Sequence, residues 1–282
     1  MTVATVYPVS TEFQKIVERA LGEDLHAGDV TAAATVPART ERRAWIETRE
    51  DIVVCGLSLV AQVFKMIDPA LRCTFLVEDG SRVVAGQRIA TLEGDARALL
   101  AGERTALNLL QRACAVASKT AEYVARGGGK LRITDTRKTM PGLRALDRYA
   151  VRCGGGHNHR NDLGAGVLIK ENHIRCAGSL EIAIQGALEY APHTLRVCCE
   201  VESLDDVSRA VEAGADALLL DNMDDDMVRE AVALVAGRAF VEVSGGITLE
   251  RIPRLAASGA DAVSVGALTH SAAAVDLSML ME

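Results

Sequence analysis

The sequence contains few aromatic residues and few lysines. Of its 282 residues only nine are Phe, Tyr or Trp, and only six of the 31 basic residues are Lys. Many proteins that bind single-stranded nucleic acid stack bases on aromatic side chains, and a net charge of −7 repels a polyanion. This composition therefore excludes a dedicated nucleic-acid binder. The hydrophobic residues, 49% of the chain, are mainly Ala, Val, Leu and Ile, which is typical of an α/β protein.

The sequence also lacks paired cysteines, a signal peptide and a membrane span. Its seven Cys form no C-x-x-C spacing of the kind used for zinc or redox chemistry. Residues 1–10 have no basic start followed by an apolar run. No window approaches the roughly 18 uncharged apolar residues that cross a bilayer. We therefore predict a reduced, cytoplasmic protein. The sequence leaves the roles of Cys198 and Cys199 open, and apolar packing beside Glu200 is the favoured one.

Positive charge is concentrated in one part of this acidic chain. Between Asp135 and Arg175 there are eight Lys or Arg and four Asp or Glu, a local charge of +4, so the remaining residues carry −11. A basic segment in an acidic chain indicates a small anionic ligand. Chance clustering on a solvated surface is the alternative that charge alone leaves open.

From about Lys130 onward, short β-branched runs alternate with amphipathic segments. The runs predict strands over 131–134, 166–169, 195–201, 217–220, 239–243 and 262–265. Helices are predicted over 179–190, 203–213, 225–236 and 249–258. Strands that alternate with single helices are parallel, and runs that are apolar on both faces indicate a sheet covered on both sides. The number of repeats favours a (β/α) barrel over a doubly wound sheet.

The first 95 residues are organised differently. The pattern predicts helices over 11–21 and 57–67 and strands over 42–49, 72–77 and 82–92. A long Ala-rich helix over 97–126 then ends at three glycines. We therefore expect an N-terminal domain that mixes helices and strands, joined by this helix to the repeating part of the chain.

Charged or glycine-rich residues follow each of the six later strands. In a parallel barrel the carboxyl ends of the strands share one face, so these residues converge on one mouth. One charged residue at a strand end is most simply a solvated residue, but six in succession indicate a site. They lie at 135–138, 170–173, 200–202, 221–222, 244–246 and 266–267.

The residue types at these strand ends indicate anion binding. Ser244, Gly245 and Gly246 lead into a helix expected from about Thr248, where backbone N–H groups and a helix N-terminus bind anions. Glu200 and Asp221 suit metal coordination or stabilisation of a cationic transition state. Positive charge for carboxylates or phosphates comes from four residues, Arg137, Lys138, Arg160 and Lys170.

Three glycines precede His157 and His159 in the segment 154–160. A zinc site would need a third ligand at recognisable spacing, which the cysteines do not provide. We interpret the segment instead as a mobile loop that closes over an anion.

Three long motifs carry the most specific signal: 135–144 (DTRKTMPGLR), 153–160 (CGGGHNHR) and 168–174 (LIKENHI). Shorter matches extend the same order from residue 103 to residue 269. Together they resemble the quinolinate phosphoribosyltransferase family. The chain departs from the family pattern at Cys114-Ala115, where a Ser-Gly pair is usual, and at Asp162 and Ala165.

The resemblance implies a fold and an activity. The fold is an N-terminal α/β sandwich domain over residues 1–112, an incomplete seven-stranded α/β barrel over 113–269, and a tail over 270–282 that packs back on the first domain. The activity is a pentosyl transfer with Mg²⁺ present: quinolinate and phosphoribosyl pyrophosphate give nicotinate mononucleotide, pyrophosphate and CO₂ for NAD biosynthesis. The resemblance also implies a homodimer, or a higher oligomer, in which Arg104 enters the neighbouring site.

The resemblance also assigns roles to particular residues. Quinolinate is held by Arg137, His159, Arg160 and Lys170. The ribose and pyrophosphate lie against Lys138, Glu200 and Asp221, with Thr136 in the same site. The 5′-phosphate is bound by Ser244, Gly245, Gly246, Val265, Gly266 and Ala267. Lys138, Lys170, Glu200 and Asp221 are the predicted catalytic residues, and Glu200 and Asp221 are expected to bind Mg²⁺, directly or through water.

Two alternatives are less consistent with the motifs. A phosphoribosyltransferase-like paralogue, such as the molybdenum-utilisation protein that resembles this family, usually lacks the run over 170–174. A non-catalytic anion-binding barrel would not need every charged strand end, and none is missing here.

Overall fold

The computed structural model describes residues 10–282, so the segment 1–9, on which the signal-peptide prediction rests, lies outside it. The described chain forms two compact units. The first comprises the residues up to Ala121 together with Thr139–Gly155 and Leu268–Glu282, and the second comprises Glu122–Lys138 and Gly156–Ala267. No helix in the described part is long and apolar enough to cross a membrane.

The first unit is built on a four-stranded antiparallel sheet. Its spatial order is β12 (Leu277–Met281), β1 (Glu41–Thr48), β5 (Arg88–Asp95) and β3 (Arg72–Phe75). A second, two-stranded sheet contains β2 (Ile52–Val53) and β4 (Arg82–Val83). The helices are α1 (Ser10–Asp24), α2 (Val30–Thr35), α3 (Leu57–Ile67), most of α4 (Ala96–Gly127), α5 (Arg144–Cys153) and the end of α11 (Ala267–His270).

Helix α4 is continuous across residue 112, the boundary proposed for the first domain. It packs closely on the buried face of α3. A Cβ atom added at Gly102 would lie 2.6 Å from the Phe64 ring, so only glycine permits this approach. The C-terminal residues add the edge strand β12 to β1, in the register Ala44↔Met281 to Thr48↔Leu277.

The prediction of a single strand over 82–92 is wrong. The structure divides it into β4 and β5, because the chain turns between them. Gly86 adopts a φ of +83° in this turn and donates its N–H to the carbonyl of Thr48 at 2.7 Å. Glycine takes this left-handed conformation without steric cost, which the strand pattern did not reveal.

The second unit contains a six-stranded parallel sheet, as the alternating pattern predicted. Its spatial order is β6 (Arg132–Thr134), β11 (Ala262–Ser264), β10 (Phe240–Ser244), β9 (Ala217–Asp221), β8 (Val197–Val201) and β7 (Val167–Ile169). Beyond β6, His157 forms a parallel bridge to Thr134. The predicted seven-stranded arrangement therefore consists of six strands and one bridge.

Helices of the second unit connect its strands and pack on them. They are the end of α4, α6 (Glu171–Ala177), α7 (Leu180–Tyr190), α8 (Leu204–Glu212), α9 (Asp225–Val235) and α10 (Ile252–Ala257).

The strand register places side chains in rows across the sheet, because paired residues on neighbouring strands project to the same face. One row is apolar and contains Leu168, Cys198, Ala217 and Phe240. Leu219, in the next row of the same face, packs against it. Cys198 therefore serves apolar packing, as predicted. Glu200 and Glu242 are both paired with Leu219, and they project to the face occupied by this cluster. The barrel mouth therefore lies next to a layer of packed apolar side chains.

Candidate active site

Asp135, directly after β6, is fully buried and anchors the segment that follows the three glycines. Its carboxylate accepts hydrogen bonds from Asn158 Nδ2 at 2.6 Å and from the His159 backbone N–H at 2.7 Å. His157 donates its N–H to the Ile133 carbonyl at 2.8 Å. The segment is thus bound to β6, in contrast to the mobile loop that the sequence predicted.

The glycines serve close packing in this segment. Gly154 follows the end of α5, and a Cβ atom there would lie 2.4 Å from the Ala117 carbonyl oxygen and 2.6 Å from Thr120 Cβ on α4. Gly155 adopts a φ of +85°. The glycine run that indicated flexibility in the sequence is therefore required by helix contact and by a left-handed turn.

Arg137 and Arg160 form the cationic part of the site. Arg160 donates from Nη1 to the Gly166 carbonyl at 2.9 Å. Burial lowers the pKa of the Arg160 guanidinium, and the nearby guanidinium of Arg137 lowers it further. Two neighbouring guanidinium groups repel each other, and an anion with two carboxylates would relieve that repulsion.

Glu242 is a site residue that the sequence reasoning missed. This buried side chain lies in the middle of β10, and its Oε2 is 3.4 Å from His159 Nε2. His159 Nδ1 accepts a hydrogen bond from the Arg160 backbone N–H at 2.7 Å, which places the ring proton on Nε2, facing Glu242. Glu242 Oε1 is buried and has no hydrogen-bond partner among the described residues. The signal available in the sequence was a Glu between Val241 and Val243, inside an apolar run.

Lys170 and Glu200 form an ion pair at the ends of β7 and β8, with Lys170 Nζ in contact with Glu200 Oε2. Lys170 precedes α6 and donates its backbone N–H to His173 Nδ1 at 3.0 Å. The Glu200 side chain is 11% exposed and that of Lys170 is 47% exposed, so the ammonium group reaches the carboxylate from the solvent side.

The glycine turn after β10 is fitted against the end of β9. Gly245 has a φ of +84°, and a Cβ atom there would lie 2.2 Å from Asn222 Oδ1. Asn222 donates its N–H to the Ser244 carbonyl at 3.0 Å and its Nδ2 to Asp221 at 2.7 Å. Arg251 supports the turn from outside by donating to the Gly245 carbonyl at 3.3 Å. Asp221 and the turn are therefore held in one fixed arrangement.

The helix expected from Thr248 begins only at Ile252, so the predicted helix N-terminus does not follow Gly246 directly. The residues between them form turns, with Arg251 donating its N–H to the Thr248 carbonyl at 3.1 Å. The predicted anion contact at this strand end therefore depends on the backbone of the glycine turn and not on a helix N-terminus.

After β11, the first backbone N–H group forms a hydrogen bond within the sheet. Val265 donates its N–H to the Thr134 carbonyl at 3.0 Å and its side chain is buried, so its amide already extends the sheet. Gly266 and Ala267 follow, and α11 begins at Ala267. At the end of β6, Thr136 Oγ1 accepts the Lys138 backbone N–H at 3.1 Å, which shapes the turn carrying Arg137 and Lys138.

All predicted site residues except Arg104 belong to the second unit. Arg104 lies on α4 in the first unit, with a 62% exposed side chain and Glu103 Oε1 3.9 Å from its Nη2.

Two protein-family models match the chain. Residues 29–114 match the N-terminal domain of quinolinate phosphoribosyl transferase, and residues 116–280 match the C-terminal domain. The chain belongs to the quinolinate phosphoribosyltransferase family. The family predicted from the sequence motifs is thus confirmed.

Similar proteins support the family over nearly the whole chain. A nicotinate-nucleotide pyrophosphorylase [carboxylating] of Mycobacterium leprae is 40% identical over 270 residues, covering 93% of this chain and 95% of the relative. A probable nicotinate-nucleotide pyrophosphorylase [carboxylating] of Bacillus subtilis is 37% identical, covering 95% and 93%. The solved structure of the nicotinate-nucleotide pyrophosphorylase from Francisella tularensis superposes with a TM-score of 0.93 at 37% identity and covers 97% of both chains. The α/β fold predicted for this family is confirmed.

Proposed function

We infer that this chain is a quinolinate phosphoribosyltransferase, a pentosyltransferase of NAD biosynthesis. It transfers the phosphoribosyl group of phosphoribosyl pyrophosphate to quinolinate and forms nicotinate mononucleotide, pyrophosphate and CO₂. The observation that carries this assignment is that the Arg137 charge acts on the partly buried Arg160, whereas the carboxylates of Glu200 and Asp221 lie at the ends of β8 and β9. In such a site, two arginines bind the two carboxylates of a substrate, and two acidic side chains of the protein stabilise a developing positive charge.

Quinolinate has two adjacent carboxylates that match the two guanidinium groups in number and charge. Each planar guanidinium can bind a carboxylate through two parallel hydrogen bonds, which also sets the orientation of the pyridine ring. His159 positions the segment through its bond to the Arg160 N–H. Direct contact of its Nε2 with a substrate carboxylate, as predicted, requires that the Glu242 contact be exchanged.

Phosphoribosyl transfer breaks the bond between ribose C1 and the pyrophosphate oxygen, whose electron pair leaves with pyrophosphate. The quinolinate nitrogen forms the new bond to C1. Positive charge develops on the ribose ring in this step, and Glu200 and Asp221 supply fixed negative charge to stabilise it. We assign Lys138 and Lys170 to the negative charge of the leaving group and substrate, and the glycine turns to the 5′-phosphate.

Decarboxylation follows on the pyridinium ring. The 2-carboxylate leaves as CO₂, the electrons of the broken C–C bond stay on the ring carbon, and that carbon takes up a proton. The adjacent positive nitrogen stabilises this charge. Arg137 and Arg160 contribute by holding the ring in one orientation during the reaction.

The donor atoms at the strand ends fit Mg²⁺. Glu200 and Asp221 offer carboxylate oxygens, and Mg²⁺ is commonly bound through one or two carboxylates together with substrate phosphates. Held by these residues, Mg²⁺ would supply positive charge that neutralises the pyrophosphate. Glu200 is paired with Lys170 and Asp221 with Asn222, so both carboxylates are oriented before substrate binds.

An assay with the purified protein tests the proposed reaction. Quinolinate, phosphoribosyl pyrophosphate and Mg²⁺ are expected to give nicotinate mononucleotide, with one CO₂ released from the 2-carboxylate per turnover. Nicotinate, which lacks that carboxylate, is expected to react poorly because it cannot engage both arginines. Equal turnover of nicotinate, or substrate binding without product, would contradict the proposal, and the second outcome would favour a non-catalytic anion-binding barrel.

We also propose a homodimer in which Arg104 completes the partner's site. Its exposed position on α4 supports this role, because a cation there is available to a neighbouring subunit. A higher oligomer built from such dimers is compatible with the same contact. A cytoplasmic location stays a prediction.

Mixing two inactive variants tests the shared site. Arg104→Ala and Lys138→Ala homodimers are each expected to be inactive, whereas a hybrid dimer has one site with both residues intact. Random exchange of subunits should then restore about a quarter of wild-type activity. As a matched control, Lys138→Ala mixed with Arg137→Ala should recover no activity. Each protomer supplies both of these residues to its own site, so every site of the hybrid dimer still carries one of the two changes. Proven exchange without rescue in the first mixture would refute the shared site.

A further inference from the structure

Three potential metal ligands that are distant in the sequence meet in the first unit. Cys55 Sγ, an Asp79 carboxylate oxygen and Cys153 Sγ all lie within 4.8 Å of one another. They come from the chain before α3, from the turn before β4 and from the end of α5. None of their spacings resembles a metal motif, so the sequence indicated no such site.

Two backbone N–H groups and one hydroxyl hold the Asp79 carboxylate in position. The Asp79 carboxylate accepts the N–H groups of Gly56 and Leu57, each at 3.1 Å, and the Tyr149 hydroxyl at 2.7 Å. Metal-binding carboxylates are commonly oriented by such hydrogen bonds from surrounding groups. Gly80 donates its N–H to the Val54 carbonyl at 2.8 Å, which joins the Asp79 turn to the residues before Cys55.

We propose that Cys55, Asp79 and Cys153 form a binding site for a thiophilic divalent cation such as Zn²⁺. The two sulfur ligands favour Zn²⁺ over Mg²⁺ and Ca²⁺, which prefer oxygen ligands. Zinc bonds of about 2.3 Å to sulfur and about 2.1 Å to oxygen place tetrahedral ligand atoms roughly 3.5 Å apart, which the observed cluster can reach through small side-chain rotations. Water supplies the fourth ligand.

Two of the three ligands are partly accessible from solvent. Cys55 is buried, whereas Asp79 and Cys153 are partly exposed. Cys114 packs behind Cys55, with the Cys55 N–H directed at Cys114 Sγ at 3.3 Å. Because the ligands come from three segments, the bound ion stabilises the first unit.

Cobalt binding provides the direct test, with Co²⁺ alone as the probe. The reduced, chelator-treated protein is expected to bind one Co²⁺ per chain with a sulfur-to-cobalt charge-transfer absorption, and Zn²⁺ should displace it. Cys153→Ser is expected to lose this absorption and at least ~100-fold in affinity. Cys73→Ser, which changes a half-buried cysteine on β3 outside the cluster, should behave like the wild type.

A thermal measurement separates binding from a folding defect. Zn²⁺ should raise the Tm of the wild type and of Cys73→Ser, because it binds only the folded state, and should leave that of Cys153→Ser unchanged. Three outcomes would overturn the proposal: no thiolate absorption in the wild type, an absorption that persists in Cys153→Ser, or a Cys55–Cys153 disulfide whose reduction restores no cation uptake. None of these measurements depends on enzymatic activity.

Discussion

Arg160→Ala is expected to raise the Michaelis constant for quinolinate by about 100-fold, as removal of a charge-assisted hydrogen bond commonly does. The constant for phosphoribosyl pyrophosphate should change much less. The physical reason is that Arg160 is partly buried beside Arg137 and is fixed by the Gly166 carbonyl. In the proposed reaction these two guanidinium groups bind the two carboxylates of quinolinate. Initial rates measured with each substrate varied in turn check this prediction.

A matched variant controls for a general loss of positive charge. Arg229→Ala removes an exposed guanidinium on α9 whose partner is Asp226, one helical turn away in the same unit. It should leave both Michaelis constants unchanged. If Arg160→Ala weakened both substrates equally, the assignment of Arg160 to quinolinate would be wrong.

Arg112→Met is expected to destabilise the first unit by about 3–5 kcal/mol, the usual cost of leaving a buried charge without its partner. Arg112 donates from Nε and Nη2 to the two carboxylate oxygens of Asp147, each at 3.0 Å, and Asp147 is fully buried. The same guanidinium donates to the Thr269 carbonyl. Met retains much of the apolar stem of Arg, so the loss reports the charge contact. Urea unfolding followed by the fluorescence of Trp45, the single Trp of the chain, reports on this unit.

Arg43→Met is the matched control in the same unit. Arg43 pairs with Glu93 at 3.3 Å, but the two side chains are 55% and 40% exposed. Exposed ion pairs contribute about 0–1 kcal/mol, so this change should be nearly neutral. Comparable losses in the free energy of unfolding in the two variants would show that the buried Arg112–Asp147 pair contributes no more than an exposed pair.

Much of the site followed from a local rule. Each parallel strand ends at the same edge of its sheet, so residues such as Lys170 and Glu200 could be grouped before their positions were known. The structure places these two in contact and holds Asp221 against the turn at Gly245. Strand periodicity depends only on residues close together in the chain, so the strand ends could be predicted from the sequence.

The predictions from the sequence were wrong or incomplete where segments that are distant in the chain pack together. The glycines before His157 indicated mobility, but Gly154 is needed for contact with α4 and the following segment is bound to Asp135. Glu242 was overlooked because its importance depends on His159, which is remote in sequence. Neither relationship has a spacing that a single sequence could reveal.

The sequence by itself determined the alternation of strands and helices, the basic segment in an acidic chain and the family. These depend on residue order and local periodicity. Only the tertiary structure decided that Glu242 contacts His159, that Arg137 lies near Arg160, and that Cys55, Asp79 and Cys153 converge. Their physical basis is packing between segments far apart in the chain, which brings polar groups together irrespective of their spacing.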